Sequence, residues 1–245
     1  MRILALNGSP RARLSNTNRL LEPFLGGAQQ AGAQTEILYA AELNIKDCLG
    51  CFNCWNKTPG CCILKDDMSV VLEKIRLADI VVWATPLYHF GMTARLKRIM
   101  ERTLPLCKPY IVKRGEHYSH PLRYENENTK NLLVSNCGFP ERHHFDALVD
   151  QFKVLSAVEN ELIGAILCPA GEFLAHLDCP WYFEALRRAG QEVVDMGHIC
   201  AETMSILSKD FIPLKLFLEK ANESWNVPGD TPPTLEEAMT GVKQK

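Results

Sequence analysis

The chain of 245 residues is 47% hydrophobic and 23% charged, which is enough apolar material to bury one sizeable core. Its formal net charge is −2 and no dense block of lysine and arginine occurs, so we expect no nucleic-acid partner. No apolar run approaches a membrane span and the first run stops at Asn7, so we expect neither a membrane anchor nor a secretory signal. Ten cysteines without such a signal indicate a reducing, cytoplasmic compartment.

Short apolar runs alternate with helical patterns along the first two thirds of the chain. Such runs, without a central charge, are typical of strands buried on both faces of a parallel sheet. We expect strands at residues 2–7, 35–39, 80–84, 131–135 and 162–167. Helices are expected between them, near residues 17–32, 66–75, 93–102 and 145–160. The alternation predicts an α/β fold with a doubly wound, five-stranded parallel sheet.

The remaining segments elaborate this core. Residues 103–130 are polar and predict an irregular surface excursion, and further helices are expected near 180–196 and 199–207. The tail after Trp225 contains three prolines and is expected to be loosely held. The division that follows is an α/β domain at 1–178, with a cysteine-rich insertion at 48–62, and a C-terminal helical extension and tail at 179–245.

The first strand leads into a tight, hydroxyl-rich turn and the start of a helix. Ser9, Ser15 and Thr17 can donate hydroxyl hydrogen bonds, Asn16 can donate an amide, and Arg11 can add a bidentate charge. The first amides of the helix have no partner within it and lie at the positive end of its dipole. The pattern predicts a site for a phosphate monoester and matches neither the dinucleotide fingerprint nor the P-loop of nucleotide triphosphatases.

Three segments coincide with the motifs of one known family. They are residues 7–11 with 15–17 after the first strand, 66–68 after the cysteines, and 78–97 at the third strand. In this order they resemble the NAD(P)H-dependent FMN reductases of the flavodoxin-like superfamily, and within them the iron–sulfur flavoproteins. The resemblance covers about residues 1–168.

The resemblance implies a flavodoxin-like sheet with strand order 2-1-3-4-5 and FMN at the carboxyl ends of the strands. The FMN phosphate would lie between Ser9 and Thr17, with Arg13 replacing or assisting Arg11. The isoalloxazine ring would have Asn136, Cys137 and Gly138 at one edge. Against another edge it would have a run that offers aromatic wall area and a glycine for close backbone approach: Pro86, Leu87, Tyr88, His89, Phe90 and Gly91.

Five of the ten cysteines lie within residues 48–62. Cys48, Cys51 and Cys54 form a Cys-x2-Cys-x2-Cys run, a spacing similar to that of ferredoxins, whose thiolates ligate a [4Fe-4S] cluster. The fourth ligand would be Cys62, which keeps the family spacing to residues 66–68, with Cys61 as the alternate. Both gaps are longer than those of the best-known cluster binders, so free or redox-active thiols and a zinc site stay open.

The candidates for catalysis are few. His89, His143 and the adjacent His144 can donate a proton beside the flavin, and the Cys137 thiol can contact flavin or substrate. In most flavin reductases, however, the cofactor performs the chemistry and the protein positions it. No nucleophile elbow or His-Glu-x-x-His helix occurs, which argues against a hydrolase.

Two sets of charged residues are interpreted as structural. Asp66 and Asp67 precede a helical pattern and predict helix capping rather than catalysis. The basic residues of the helix near 93–102 are spaced as one solvated face, and they are Arg95, Lys97, Arg98 and Arg102.

Three hypotheses of function result. The first is an FMN-dependent oxidoreductase that passes electrons from NADH or NADPH to a quinone, nitro compound, disulfide or protein. The second is an iron–sulfur flavoprotein that exchanges electrons with a ferredoxin, and the third is a non-catalytic thiol- or zinc-binding regulatory domain. Because the relatives complete the flavin site across a subunit interface, the resemblance also implies a homodimer or homotetramer.

Overall fold

The five apolar runs form the parallel sheet that their pattern predicts. The computed structural model describes residues 1–124, 129–158, 160–225 and 227–241. Parts of the predicted excursion and tail, and residue 159 of the helix predicted at 145–160, therefore lie outside the described residues. The described strands are β1 Arg2–Asn7, β2 Gln34–Tyr39, β3 Ile80–Pro86, β4 Val112–Arg114, β5 His117–Ser119, β6 Lys130–Asn136 and β7 Leu162–Cys168.

The strand order confirms the predicted fold class. The five-stranded sheet has the order β2-β1-β3-β6-β7, and each neighbouring pair is parallel. With the separate hairpin β4–β5 set aside, this is the order 2-1-3-4-5. The middle strand β3 is buried from Ile80 to Thr85, as a strand covered on both faces must be.

Helices cover both faces of the sheet. They are α1 Asn16–Gln30, α2 Asn53–Asn56, α3 Met68–Leu77, α4 Ala94–Glu101, α5 Asp146–Val158, α6 Pro180–Met196, α7 Ala201–Leu207, α8 Leu214–Glu223 and α9 Leu235–Thr240. One core lies between the sheet and α1, α6 and α7, and the other between the sheet and α3, α4 and α5. In the described part of the chain, every helix is too short or too polar to cross a membrane.

The closest helix contact joins α1 to α6, across the boundary that the sequence suggested at 178. A Cβ atom added to Gly27 would lie 1.9 Å from the carbonyl oxygen of Arg187, and one added to Gly190 would lie 1.9 Å from that of Phe24. The two glycines thus let the helix backbones touch. Helix α6 consequently belongs to the same core as α1, with Tyr182 fully buried in it.

The C-terminal third and the excursion contain elements that were not predicted. The segment expected to be irregular holds the antiparallel hairpin β4–β5, whose turn contains Gly115 at a φ of 56°. The tail expected to be loosely held contains α9, which begins with a capping box between Thr234 and Glu237. That box was readable in the sequence as a threonine followed three residues later by a glutamate.

Adjacent glycines of α1 provide a test of this packing. We expect Gly27→Ala to destabilise the protein by about 1–3 kcal/mol or more, because the added methyl group collides with the backbone of α6. Gly26→Ala is the matched control, since its Cβ meets nothing within 4 Å. It should stabilise the helix by about 0.5–1 kcal/mol. Urea unfolding measures both changes, and equal effects of the two substitutions would contradict the contact.

Candidate cofactor site

The carboxyl edge of the sheet brings together three predicted segments. Because the strands are parallel, residues 8–17, 86–91 and 136–144 all open at this edge. Asn136 joins them, since its Oδ1 accepts a hydrogen bond from Thr17 Oγ1 at 2.7 Å and its carbonyl accepts one from the Leu87 amide at 2.8 Å. The resemblance implied a place for Asn136 at the flavin edge, but not this role as the junction between the two loops.

Residues 8–17, here called the phosphate loop, are held by their own polar groups. Ser15 caps α1 by accepting a hydrogen bond from the Asn18 amide at 3.1 Å, and its hydroxyl donates to the Ala12 carbonyl at 2.6 Å. Thr17 donates its hydroxyl hydrogen to Asn136. The predicted hydroxyl donors Ser15 and Thr17 are therefore engaged within the protein. The donors left for an anion are the Ser9 hydroxyl, the Asn16 side chain and the first amides of α1.

The two arginines of the loop differ in their surroundings. Arg13 forms an ion pair with Glu42, and its guanidinium lies 4.4 Å from the centre of the Tyr39 ring. Arg11 is exposed, and its side chain has no ion pair or hydrogen bond among the described residues. Of the two predicted candidates, Arg11 is therefore the one whose charge is available to a phosphate.

The floor of the phosphate loop fits a bound anion. Asn7, the last residue of β1, accepts a hydrogen bond from the Ser9 amide at 2.9 Å through its Oδ1. Its Nδ2 is buried and has no partner in the part of the chain that the structure describes. Gly8 presses against α4, where a Cβ atom would lie 2.7 Å from that of Leu96. A buried amide donor without a partner is costly unless a ligand accepts from it, and a phosphate oxygen can do so.

The turn after β3 is tight and left-handed. Tyr88 and Gly91 exchange two backbone hydrogen bonds of 3.0 Å each, and the residues between them, His89 and Phe90, have φ values of 47° and 60°. The positive φ values thus belong to two residues with side chains and not to Gly91. Such conformations cost about 1–3 kcal/mol each and concentrate at functional sites. The turn leaves the rings of Tyr88 and Phe90 half exposed at the carboxyl edge.

The loop after β6 places a histidine beside this turn. The ring of His144 lies 5.6 Å from that of Phe90 and 4.7 Å from that of Phe139, and it stacks on His143 at 4.2 Å. Its Nε2 lies 3.1 Å from Glu141 Oε2. His143 is exposed, as is Gly138. The predicted aromatic wall and the predicted histidines are therefore neighbours.

Cys137 lies at the same edge but is not reactive in this environment. Its side chain is 5% exposed, and its thiol donates to the Phe139 carbonyl at 3.3 Å. Burial raises the pKa of the Cys137 thiol to about 11. It is thus a small buried residue, which weakens its candidacy for catalysis.

The cysteine loop, defined as residues 46–66, is anchored to α4 and to the excursion. The indole of Trp55 donates to the Leu104 carbonyl at 3.1 Å, and its ring packs on that of His120 at 4.7 Å. Arg123 donates to the Cys54 carbonyl at 3.5 Å and to the Cys107 carbonyl at 3.0 Å.

A buried ion pair closes the base of this loop. Arg102 contacts both carboxylate oxygens of Asp66, at 2.9 and 3.1 Å, and the two side chains are 1% and 0% exposed. Arg102 also donates to the Lys46 carbonyl at 2.7 Å. The prediction that Arg102 lies on a solvated helix face is therefore wrong, because Asp66 supplies a buried counter-charge. Asp66 Oδ1 also accepts a hydrogen bond from the amide of Met68, the first residue of α3, at 3.1 Å. The capping predicted for Asp66 is therefore only part of its role.

The ion pair also sets the charge states of its members. Burial alone raises the pKa of Asp66, but hydrogen bonds from Arg102 and from the Lys46 and Met68 amides outweigh it and hold the pKa below its ordinary value. Burial lowers the pKa of Arg102, and the Asp66 hydrogen bond and the charge of Cys62 raise it above its ordinary value. Cys62 is therefore a near neighbour of this guanidinium.

The cysteines fit a soft metal in donor chemistry. Burial raises the pKa of Cys54, and the neighbouring Cys62, Cys51 and Cys48 raise it further. Among the described residues, no three cysteine, histidine or carboxylate side chains yet converge on a single point. The thiols would have to draw together around a metal.

The fold and the carboxyl-edge site define a flavodoxin-like cofactor-binding protein. Residues 1–120 match the family model of the NADPH-dependent FMN reductases, whose name specifies the predicted cofactor and donor. The resemblance found in the sequence is confirmed for this part of the chain.

Relatives and structural neighbours agree with this assignment. An iron-sulfur flavoprotein of Methanocaldococcus jannaschii is 34% identical over 106 residues, which cover 43% of this chain and 53% of the relative. One of Archaeoglobus fulgidus is 39% identical over 103 residues, 42% of this chain and 49% of the relative. The chain thus spans about half the length of these curated relatives.

The fold itself is shared with a solved structure. The NAD(P)H:quinone oxidoreductase of Methanothermobacter marburgensis has a TM-score of 0.58 to this chain at 16% identity. The likeness covers 79% of this chain and 96% of that one, and it shows the fold.

The environments of the thiols predict an order of alkylation. At pH 8, iodoacetamide should label the exposed Cys48, Cys51 and Cys61 first. Cys137 should stay unlabelled in the native protein, because only about one thiol in a thousand is ionised three pH units below its pKa. Mass spectrometry of timed samples gives the order, and urea-unfolded protein is the control in which every cysteine reacts. Early labelling of Cys137 would refute its burial.

Proposed function

We propose that this protein is an FMN-dependent oxidoreductase that takes electrons from NADH or NADPH. It passes them to a quinone, nitro compound, disulfide or protein acceptor. The observation that carries the proposal is the junction at Asn136, which ties the phosphate loop and the turn at 86–91 to one edge of the sheet. The match of residues 1–120 to the family model of the NADPH-dependent FMN reductases supports the same conclusion.

Each segment has one task in binding the cofactor. The phosphate loop offers Asn7 Nδ2, the Ser9 hydroxyl, the start of α1 and the charge of Arg11 to the phosphate. The turn at 86–91 and the Phe139–His144 pair offer apolar and aromatic surface to the ring. Bound FMN supplies the ability to accept two electrons from a nicotinamide and to release them to an acceptor.

His144 is the better placed of the histidines to serve a reduced acceptor. Glu141 orients its Nε2, while the rings of Phe90 and Phe139 shield it from water. His143 stacks on it from the exposed side. A proton held in this arrangement lies at the open edge of the sheet, where an acceptor would approach.

A second candidate function is an iron–sulfur flavoprotein that carries electrons between FMN and a ferredoxin-type partner. It is favoured by the names of the curated relatives and by the Cys-x2-Cys-x2-Cys run of Cys48, Cys51 and Cys54 with Cys62 after it. In that case the four thiols would hold the cluster, and Trp55 would keep their loop against the excursion. Assembly into a homodimer or homotetramer stays a prediction for both candidates.

The two arginines of the phosphate loop test the cofactor site. Arg11→Ala should weaken FMN binding about 10–100-fold, because charge-assisted hydrogen bonds contribute about 1.5–3 kcal/mol. Arg13→Ala is the matched control and should change binding less than threefold, since Glu42 and Tyr39 already occupy its guanidinium. Flavin fluorescence quenching on titration measures both dissociation constants. A larger loss from Arg13→Ala would show that Arg13 binds the phosphate.

The electron donor that reduces the flavin distinguishes the two candidate functions. The FMN-loaded protein should lose its flavin absorbance within the mixing time of NADH or NADPH under anaerobic conditions if the oxidoreductase proposal holds. Failure of both nicotinamides, with bleaching by reduced ferredoxin, would replace it with the electron carrier. Iron and sulfide analysis of wild type and Cys54→Ser after anaerobic purification tests the cluster independently of the flavin.

A further inference from the structure

The cysteine loop carries five cysteines yet contains only one short helix, α2, among its described elements. A loop of this length can hold a fixed arrangement of thiols only if its ends and its middle are tied to the fold. The ties to Leu104 and His120 hold its middle through Trp55. The contacts at its two ends therefore decide whether the thiols keep fixed positions relative to one another.

Both ends of the loop meet at Arg102 and Asp66. The guanidinium donates to the Lys46 carbonyl at one end and to the Asp66 carboxylate at the other. Asp66 Oδ2 in turn accepts from the Lys46 amide at 2.9 Å, which closes a ring of hydrogen bonds. The next residue, Asp67, adds a further hydrogen bond between the two ends, since its carboxylate accepts from the Asn44 amide at 2.7 Å.

The burial of this pair sets it apart from the other ion pairs of α4. Lys97 and Arg98 pair with Glu101 and Asp47 at partly exposed positions, where ion pairs contribute little. Arg102 and Asp66 are excluded from water, so each charge depends on the other, and the removal of one leaves the other costly to keep. The Nε of Arg102 is buried and without a hydrogen-bond partner among the described residues, beside Cys62.

We propose that Arg102 and Asp66 are positioning residues of a thiol centre formed by Cys48, Cys51, Cys54 and Cys62. The ion pair clamps both ends of the cysteine loop. The centre takes a soft metal, as zinc or as an iron–sulfur cluster, through its thiolates. The proposal rests on the second candidate function for the identity of the metal, but the clamp itself acts in the metal-free protein.

Metal-free protein provides the first test, with Arg102→Met, Asp66→Asn and the control Lys97→Met. Loss of the clamp should speed tryptic cleavage after Lys57 and alkylation of Cys54 by about tenfold or more. Cleavage at the exposed Lys57 needs its segment to open locally, and the buried Cys54 becomes accessible only when the loop opens. Lys97→Met should leave both rates at the wild-type value, since Lys97 pairs only along its own helix in the described residues. Unchanged rates in the Arg102 and Asp66 variants would overturn the proposal.

A double variant removes the cost of an unpaired charge. Arg102→Met with Asp66→Asn leaves no buried charge and keeps one oxygen at position 66, which can accept from either the Lys46 or the Met68 amide. It should therefore fold and bind FMN within about threefold of wild type, yet show the open-loop rates. A double variant with wild-type protection would show that the charges have no role in closure. If this variant fails to fold, Arg102→Lys, which keeps the charge but loses the bidentate fork, should show intermediate rates.

Metal binding provides the second test. Zinc affinity, measured by competition with a chelating dye, should fall about 10–100-fold in the single and double variants, as is typical for groups that orient metal ligands. FMN binding of the same samples reports separately on the proposed oxidoreductase. Failure of wild type to bind FMN would refute that function and leave the clamp comparison valid, whereas variants with wild-type zinc affinity would refute the positioning role.

Discussion

The parallel direction of every strand in the main sheet is the constraint on which the site depends. Because β1, β3, β6 and β7 all end at one edge, the loops that follow them lie close together. Residues 119 positions apart, Thr17 and Asn136, are brought to 2.7 Å by this geometry alone. The polar floor, the strained turn and the aromatic wall are thus products of topology first and of local sequence second.

Two kinds of polar interior serve different purposes in this molecule. Around Asn7 and Asn136 the buried amides lie at the carboxyl edge of the sheet, and one donor has no protein partner among the described residues. Around Arg102 the buried charges face each other and the backbone, and they secure a loop whose large side chains Leu49, Phe52 and Ile63 stay exposed. The first arrangement suits a ligand that arrives and binds, whereas the second suits permanent fixation, in which specificity of geometry matters more than net stability.

The sequence predicted the sheet, its order and the phosphate loop because these depend on local patterns. The apolar run at residues 80–84 identifies a buried strand by its composition alone, and Ser15 is a residue type that commonly caps a helix. The burial of Arg102 could not be predicted in this way, since it requires a carboxylate 36 positions earlier to reach the same point. The left-handed turn was missed for a different reason, because His89 and Phe90 lack the glycine or asparagine that announces positive φ.

The glycine contact between α1 and α6 shows that the folded core extends beyond the residues that the family model matches. The family match ends at residue 120, before β6, β7 and α6. A fragment that stopped there would turn β3, buried along most of its length, into an open edge ready to pair with other chains. It would also expose the groove of α1 that Gly190 fills. The part of this chain that the family model matches is therefore smaller than the part needed to cover β3 and the groove of α1.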